Sequence, residues 1–184
     1  MKAAVTATLC VAFAAAHTAH ADNLGAPANA GQEAKKLTGA NISLPAAIRT
    51  AEQNGDGLAI SATYDPMHGN EGRYKVIVMS PDGRRLTQFD LDAYDGEVNE
   101  AWNHPFSMLH PDLSPPSVRD AATSLAGAIV TAEERAGGKA TAATVEHAGG
   151  QVLYTVDVAR TDGSARKVEI DASAGKLASS PRAG

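Results

Sequence analysis

The sequence of 184 residues contains one cysteine, few aromatic residues and no excess of basic side chains. The only cysteine, Cys10, lies in an N-terminal segment with the features of an export signal. Removal of that segment leaves no thiol, which excludes disulfide bonds, thiolate metal sites and cysteine nucleophiles. Aromatic residues make up 4% of the chain, so we expect a core built mainly from Ala, Val, Ile and Leu. The formal net charge of −5 disfavours a nucleic-acid partner, because such partners require a basic face.

The N-terminal segment up to Ala21 has the order of features that is typical of a cleavable signal peptide. Lys2 supplies a positive charge, an apolar run follows it, and Ala19-His20-Ala21 forms an A-x-A cleavage pattern directly before Asp22. No later run approaches the ~18 apolar residues that a membrane-spanning helix requires. We therefore predict a signal peptide over residues 1–21, a periplasmic or secreted location, and no stable membrane insertion after cleavage.

The rest of the chain contains an internal duplication. Ser43–Glu52 (SLPAAIRTAE) and Ser124–Glu133 (SLAGAIVTAE) align without gaps and are identical at seven of ten positions. Further matches, including a Tyr-x-Val-x-Val segment and an Asp-Gly pair, follow in the same order in both copies. The predicted domains are a flexible leader (22–41), repeat 1 (42–102), a linker rich in proline and aromatic residues (103–116) and repeat 2 (117–179).

Each repeat has the pattern of one helix followed by antiparallel strands. Apolar residues at i, i+3, i+4 and i+7 predict an amphipathic helix that begins at Leu44 in repeat 1 and at Leu125 in repeat 2. Alternating segments follow each helix, and strong Asp-Gly hairpin turns connect the last two of them. The predicted strands are about 58–64, 73–80 and 85–92 in repeat 1, and about 140–146, 151–159 and 165–171 in repeat 2. A further turn leads into a short segment that ends at Val98 or Leu177.

This pattern predicts an α+β fold of two tandem repeats, each with one helix packed on a three- to four-stranded antiparallel β-meander. The predicted core consists of Leu44, Ile48, Tyr74, Val76 and Val78, with Leu125, Ile129, Tyr154, Val156 and Val158 as their counterparts.

The ordered set of motifs resembles the PepSY domain family. The resemblance rests on the helix S-L-x-x-A-I-x-x-A-E, the Tyr-x-Val-x-Val strand, the Asp-Gly hairpin and a closing Asp-Ala-x-x-Gly-x-Val/Leu, present as Asp92–Val98 and Asp171–Leu177. It covers about residues 42–100 and 122–178. PepSY domains occur in propeptides of thermolysin-like metallopeptidases, where they assist folding and inhibit, and in other cell-envelope proteins. The resemblance implies an exported, non-catalytic module with a protein or peptide partner in the envelope, such as a peptidase that it modulates or inhibits.

The sequence contains no motif that predicts catalysis or metal binding. No G-x-S-x-G elbow and no H-E-x-x-H helix is present, and His104 and His110 flank the linker without a ligand spacing. The acids between Asp90 and Glu97 do not follow the order of a calcium-binding EF-hand loop. We therefore predict that the protein is not an enzyme and has no cofactor. The alternative function is a small-ligand or metal-binding sensor module in the envelope.

A candidate binding surface follows from an asymmetry between the repeats. On the outer face of the second strand, repeat 1 has Ile77 and Met79 where repeat 2 has Asp157 and Ala159. In a sheet with one face toward water, each strand should alternate apolar and polar residues, so we expect something to cover the apolar pair. Either linker residues (Trp102, Phe106, Met108 or Leu109) fold back over the sheet, or a partner binds there. The predicted partner-binding residues are Ile77, Met79, Trp102 and Phe106.

Overall fold

The computed structural model describes residues 36, 37, 39–66, 72–105, 113, 115–148 and 150–178. The predicted signal peptide, most of the leader and most of the linker, including Phe106, lie outside these residues. The elements are α1 (Leu44–Gly55), β1 (Leu58–Asp65), β2 (Arg73–Met79), β3 (Arg85–Asp92), β4 (Val98–Pro105), α2 (Pro115–Arg119), α3 (Leu125–Ala136), β5 (Lys139–Ala148), β6 (Gln151–Ala159), β7 (Ala165–Asp171) and β8 (Lys176–Leu177). The predicted α+β class is confirmed.

All eight strands belong to one antiparallel sheet in the order β4-β3-β2-β1-β5-β6-β7-β8. The two central strands, β1 and β5, pair with Ala62 opposite Ala143, Ser61 opposite Thr144 and Thr63 opposite Ala142. Ala62 and Ala143 are equivalent positions of the two copies in the alignment that matches the duplicated helices, so the pairing is symmetric about this alanine pair. Below, α1 with β1–β4 is called half one, and α3 with β5–β8 is called half two.

The two long helices begin after equivalent serines and end in the same backbone conformation. Ser43 and Ser124 precede them in an extended conformation. The Ser124 hydroxyl accepts a hydrogen bond from the Gly127 N–H at 3.2 Å, whereas Ser43 makes no such side-chain bond. Asp56 (φ 45°) follows α1 and Gly137 (φ 69°) follows α3, each in the left-handed conformation that commonly ends a helix. Each helix is then followed almost at once by the first strand of its half.

The helices α1 and α3 contact each other and lie on one face of the sheet. Helix α1 packs on β1, β2 and β3, and α3 packs on β5, β6 and β7. The predicted core is confirmed: all ten residues are at most 2% exposed, namely Leu44, Ile48, Tyr74, Val76, Val78, Leu125, Ile129, Tyr154, Val156 and Val158. Because β1 pairs with β5 and the helices touch, the buried residues of both halves belong to one hydrophobic cluster.

The two halves differ most in their outermost strands. Strand β4 pairs with β3 from Arg85 to Leu91, whereas β8 pairs with β7 only at Ile170 and Asp171. Strand β4 begins at Val98, where this segment was expected to end, and extends to Pro105. In the described part of the chain, no helix is long and apolar enough to cross a membrane.

Candidate functional site

The face of the sheet opposite α1 and α3 is the surface on which the predicted binding residues lie. Tyr74, Val76 and Val78 face the helices, since the Tyr74 hydroxyl donates to the Ile42 carbonyl directly before α1 at 2.8 Å. Side chains alternate along a strand, so Ile77 faces the other way. We call that opposite side the outer face. One row of outer-face residues crosses seven strands: Trp102, Gln88, Ile77, Ser61, Thr144, Thr155 and Glu169.

The structure brings two of the four predicted site residues into this row. Ile77 is partly buried and Trp102 is 48% exposed, and Gln88 lies between them on β3. Residues two strands apart in a row are separated by about 10 Å, which one partner surface can span. Phe106 lies outside the described residues. Ile77 and Trp102 therefore share one surface, with a polar side chain between them.

Met79 was expected to be covered on this face, by linker residues or by a partner, and within this chain it is only 2% exposed. Met79 lies opposite Leu86 on β3, and Leu86 is fully buried. The same hydrophobic cluster includes Leu113 and Val118, which belong to the segment between the halves. The short helix α2, which carries Val118, also contacts β1. Apolar residues from between the halves therefore contribute to the cluster that buries Met79, although Trp102 itself points to solvent.

A buried carboxylate fixes the polar residue between Ile77 and Trp102. Asp90 is 2% exposed, and its Oδ2 lies 2.9 Å from an Nη atom of Arg73. Its Oδ1 accepts a hydrogen bond from Nε2 of Gln88 at 2.9 Å. A buried carboxylate requires such partners, and here both of its oxygens have one. The Gln88 side chain is thereby held in place next to Trp102.

Two glutamates in the duplicated helices have a role that the helix pattern did not indicate. Oε1 of Glu52 accepts a hydrogen bond from the Ala59 N–H, and Oε1 of Glu133 accepts one from the Ala140 N–H, each at 2.9 Å. Each glutamate thus ties the end of its helix to the start of the following strand. The only sequence signal was the presence of a glutamate at the same position of both duplicated segments.

Two buried tyrosines occupy equivalent positions in the two halves. Tyr154 repeats the Tyr74 bond by donating its hydroxyl to the Thr123 carbonyl at 2.7 Å. Burial raises the pKa of Tyr74, with smaller effects from Tyr64 and from Glu133 in half two. Burial also raises the pKa of Tyr154 to about 12, and Glu52 of half one adds to the rise. Both phenols therefore stay protonated near neutral pH, where they anchor helices rather than transfer protons.

The acids after β3 serve as turn acceptors. Oδ1 of Asp92 accepts from the Tyr94 N–H at 2.7 Å, and Oδ1 of Asp95 accepts from the Glu97 N–H at 2.9 Å. In half two the Ser173 hydroxyl and N–H both donate to Asp171, which lowers the pKa of that carboxyl. Across the described ranges, no group of three or more His, Cys, Asp and Glu side chains is placed to hold a metal ion.

Comparison with known proteins gives similarities in structure only. No protein-family model matches the chain, and no curated protein matches it. A "putative lipoprotein" of Clostridium difficile 630 has 13% sequence identity and a TM-score of 0.44, and the match covers 76% of this chain and 92% of that one. The YpmB protein of Bacillus subtilis has 15% identity and a TM-score of 0.30, and that match covers 72% of this chain and 92% of the other. At these TM-scores the similarities support no inference about function.

Proposed function

We propose that this chain is an exported, non-catalytic protein-binding module of two PepSY-like repeats. It acts in the periplasm or outside the cell on an envelope protein, such as an extracytoplasmic peptidase that it modulates or inhibits. The matched helices, the equivalent tyrosine and glutamate bonds in the two halves, and the symmetric β1–β5 pairing support the repeat interpretation. The A-x-A signal pattern supports export.

The exposed side chain of Trp102 is the observation that carries the binding function. Trp102 is the only tryptophan of the chain. It lies on β4, its side chain is on the outer face of the sheet, and it is 48% exposed. Tryptophan is enriched among the residues that dominate binding energy at protein interfaces, because one side chain buries a large apolar area while its N–H can donate a hydrogen bond. Gln88, fixed by Asp90, and the partly buried Ile77 extend the same surface.

The chemistry of the described residues also favours binding over catalysis. Among those residues the one buried carboxylate, Asp90, has its oxygens engaged by Arg73 and Gln88. The buried phenols of Tyr74 and Tyr154 have raised pKa values and donate to backbone carbonyls. A general base must instead be free to accept a proton from substrate near the working pH. These groups are therefore suited to holding the scaffold together.

A site-specific cross-linking experiment tests the proposal. A photo-reactive benzoylphenylalanine is placed at Trp102 in the full chain, or at Val130 as a control, and each variant is irradiated in a cell-envelope extract. Val130 is 45% exposed on α3, so it presents a similar exposed apolar residue on the other side of the molecule. We expect a partner to be cross-linked at position 102 and not at position 130.

The identified partner is then purified and its Kd measured. Trp102→Ala should weaken binding at least tenfold, about 1.4 kcal/mol, while Val130→Ala should leave the Kd unchanged. If the partner is a peptidase, its activity should fall saturably as the module is added. An unchanged Kd for Trp102→Ala would refute this surface as the binding site. A melting temperature that rises with added divalent cation, in the absence of any protein partner, would favour the sensor alternative.

A further inference from the structure

The outer face of half one supplies its own cations for two of its acids. An Nη atom of Arg73 lies 2.9 Å from Oδ2 of Asp90, and Nζ of Lys75 lies 3.1 Å from Oδ2 of Asp65. In both pairs a base of β2 reaches diagonally to an acid on a neighbouring strand, β3 or β1. Two carboxylates of this face are thereby neutralised within the chain.

Half two keeps both acidic positions and lacks both bases. The alignment of the repeats pairs the four residues with Leu153 for Arg73, Thr155 for Lys75, Glu169 for Asp90 and Glu146 for Asp65. The strand pairing agrees with this alignment. Glu169 lies opposite Thr155 and Glu146 lies opposite Leu153, as their counterparts do in half one. An apolar side chain and a hydroxyl therefore stand where half one has its cations.

The described bases of half two do not replace these cations. Its outer face carries four acids and two bases, namely Glu146, Asp157, Glu169, Asp171, Lys167 and Lys176. Lys176 lies opposite Asp171, and Lys167 lies opposite Asp157. Glu146 and Glu169 are exposed and form no ion pair with a described side chain, although Lys167 lies two positions before Glu169 on β7. The face of half two thus has room for two further cations.

We propose that the outer face of half two binds a basic, extended segment of a partner protein, and that its cationic side chains occupy the positions equivalent to Arg73 and Lys75. The inference rests on the function proposed above, since Trp102 lies on the same outer face, and it adds the chemistry of the partner. Hydrogen bonds between ionised groups are stronger than neutral ones, and complementary charge selects the partner.

The spacing of the two carboxylates sets the spacing of the cations. Glu146 lies on β5 and Glu169 on β7, with β6 between them. The two positions are about 10 Å apart across the strands and about 7 Å apart along them, which gives about 12 Å in all. In an extended segment, residues four positions apart are separated by about 13 Å and point to the same side. Two basic residues separated by three others therefore match this pair of acids.

The charge of the outer face disfavours a second copy of this chain as the occupant. Both halves of the face carry more acids than bases among the described side chains, so two such faces would repel each other. The intramolecular alternative is Arg182, a base that follows β8 and lies outside the described residues.

Peptide binding to the full chain tests the proposal. The probe is an end-capped nonapeptide of serine with arginine at its third and seventh positions, labelled with an uncharged fluorophore. One control has glutamate at both positions, and a second control has the same two arginines next to each other. Fluorescence anisotropy should show saturable binding of the probe, at least tenfold weaker binding of the glutamate peptide, and at least threefold weaker binding of the peptide with adjacent arginines.

Variants of the two carboxylates locate the site. Glu146→Gln and Glu169→Gln each remove one negative charge and preserve the shape of the side chain, so each should weaken binding of the probe at least fivefold. Glu134→Gln removes the charge of an exposed acid on α3, on the other side of the sheet, and should change the Kd by less than twofold.

A further variant restores the cations of half one without changing an acid. Leu153→Arg combined with Thr155→Lys places a guanidinium beside Glu169 and an ammonium beside Glu146, and it should weaken binding of the probe at least tenfold. Melting curves check that each variant is folded. Leu153→Arg alone replaces the double variant if that is not folded, because Leu153 is only partly buried.

Several results would overturn the proposal. These are no saturable binding of the probe, equal binding of the glutamate peptide, or an affinity that Glu146→Gln and Glu169→Gln do not change. An affinity that rises at least tenfold in Arg182→Ala would make the chain's own arginine the occupant. A dimer of the chain alone that Glu169→Gln alters, detected by analytical ultracentrifugation, would make a second copy the occupant.

The partner cross-linked at position 102 separates this inference from the function on which it rests. Glu169→Gln should weaken the Kd of that partner at least fivefold. If Trp102→Ala weakens binding of the partner and Glu169→Gln does not, the outer face remains the binding surface and the basic chemistry inferred for its partner is refuted. If neither variant changes the Kd, both proposals fail.

Discussion

Replacement of Ile129 by alanine should destabilise half one as much as half two. Ile129 lies on α3 and is fully buried. The side chain loses three carbon groups, which costs about 2.4 kcal/mol in transfer free energy at ~0.8 kcal/mol per group. A residual cavity of roughly 50 Å³ adds about 1.2 kcal/mol at ~24 cal/mol per Å³. We therefore expect a loss of about 3.5 kcal/mol in the free energy of unfolding.

The loss should reach half one because the halves share the β1–β5 pairing, the contact between α1 and α3, and one hydrophobic cluster. The chain provides a local reporter for half one, since its only tryptophan, Trp102, lies on β4. Urea unfolding is followed by the fluorescence of Trp102 and by far-UV circular dichroism of the whole chain. In Ile129→Ala both midpoints should fall together and by the same amount.

Val130→Ala is the matched control, because Val130 is the next residue on α3 and is 45% exposed. Its effect should stay within about 0.5 kcal/mol, as is usual for surface substitutions. If Ile129→Ala lowers the dichroism midpoint but leaves the Trp102 midpoint unchanged, the halves unfold independently. The argument for one cooperative unit would then be wrong.

Three further predictions test the scaffold. Burial raises the pKa of Tyr154 from 10.0 to about 12, so between these pH values the folded state keeps a proton that the unfolded state loses, and stability falls as pH rises. Tyr154→Phe should lose less stability than wild type over this pH interval, as measured by urea unfolding. Parallel curves of stability against pH for the two proteins would contradict the prediction. At Gly138 a Cβ would lie 2.3 Å from a backbone oxygen of the neighbouring strand, whereas at Gly137 (φ 69°) nothing lies within 4 Å. Gly138→Ala should therefore reduce the stability by an amount near the upper end of about 1–3 kcal/mol, and Gly137→Ala should reduce it by about 1 kcal/mol. Melting temperatures measure both losses, and equal losses would refute the steric argument. Fragments 22–105 and 113–184 each expose one strand of the central β1–β5 pairing. Neither fragment should therefore melt as cooperatively, or at as high a temperature, as the full chain. Two stable fragments would show that the halves do not support each other.

The regular elements could be predicted because their signals are local. Helix α1 begins at Leu44 and α3 at Leu125, as the apolar spacing predicts, and the Asp-Gly turns lie between the expected strands. The alternation within β2 and β6 also indicated the correct side for the buried tyrosines. Periodicity reports which face of an element is buried, and it does so before any neighbour is known.

The identity of the neighbours could not be predicted from these signals. Alternation in β1 and β5 does not tell whether the two strands pair, so the single continuous sheet emerges only in three dimensions. Strand β4 is held by backbone hydrogen bonds at an edge, which place few demands on side chains. Its Trp102 and Asn103 remain exposed, and the segment therefore has no core pattern to detect.

The candidate site was predicted in part for the same reason. Ile77 and Trp102 do share the outer face, which alternation and position along the chain could indicate. The burial of Met79 depends on Leu86 across the sheet and on the cluster that includes Leu113 and Val118. The bond from the Ala59 N–H to Glu52 likewise depends on how a helix and a strand meet. Contacts of this kind are set by tertiary packing rather than by local sequence.

The alanine pair at the centre of the sheet has a consequence for assembly. Ala62 opposite Ala143 is the arrangement that two identical subunits adopt about a two-fold axis, where the same surface patch of each subunit meets the other. A single half could therefore form a homodimer through this strand. Joining both halves in one chain replaces that association by an intramolecular contact, which no longer depends on protein concentration. It also allows the two halves to differ in sequence, as the described lengths of β4 and β8 do.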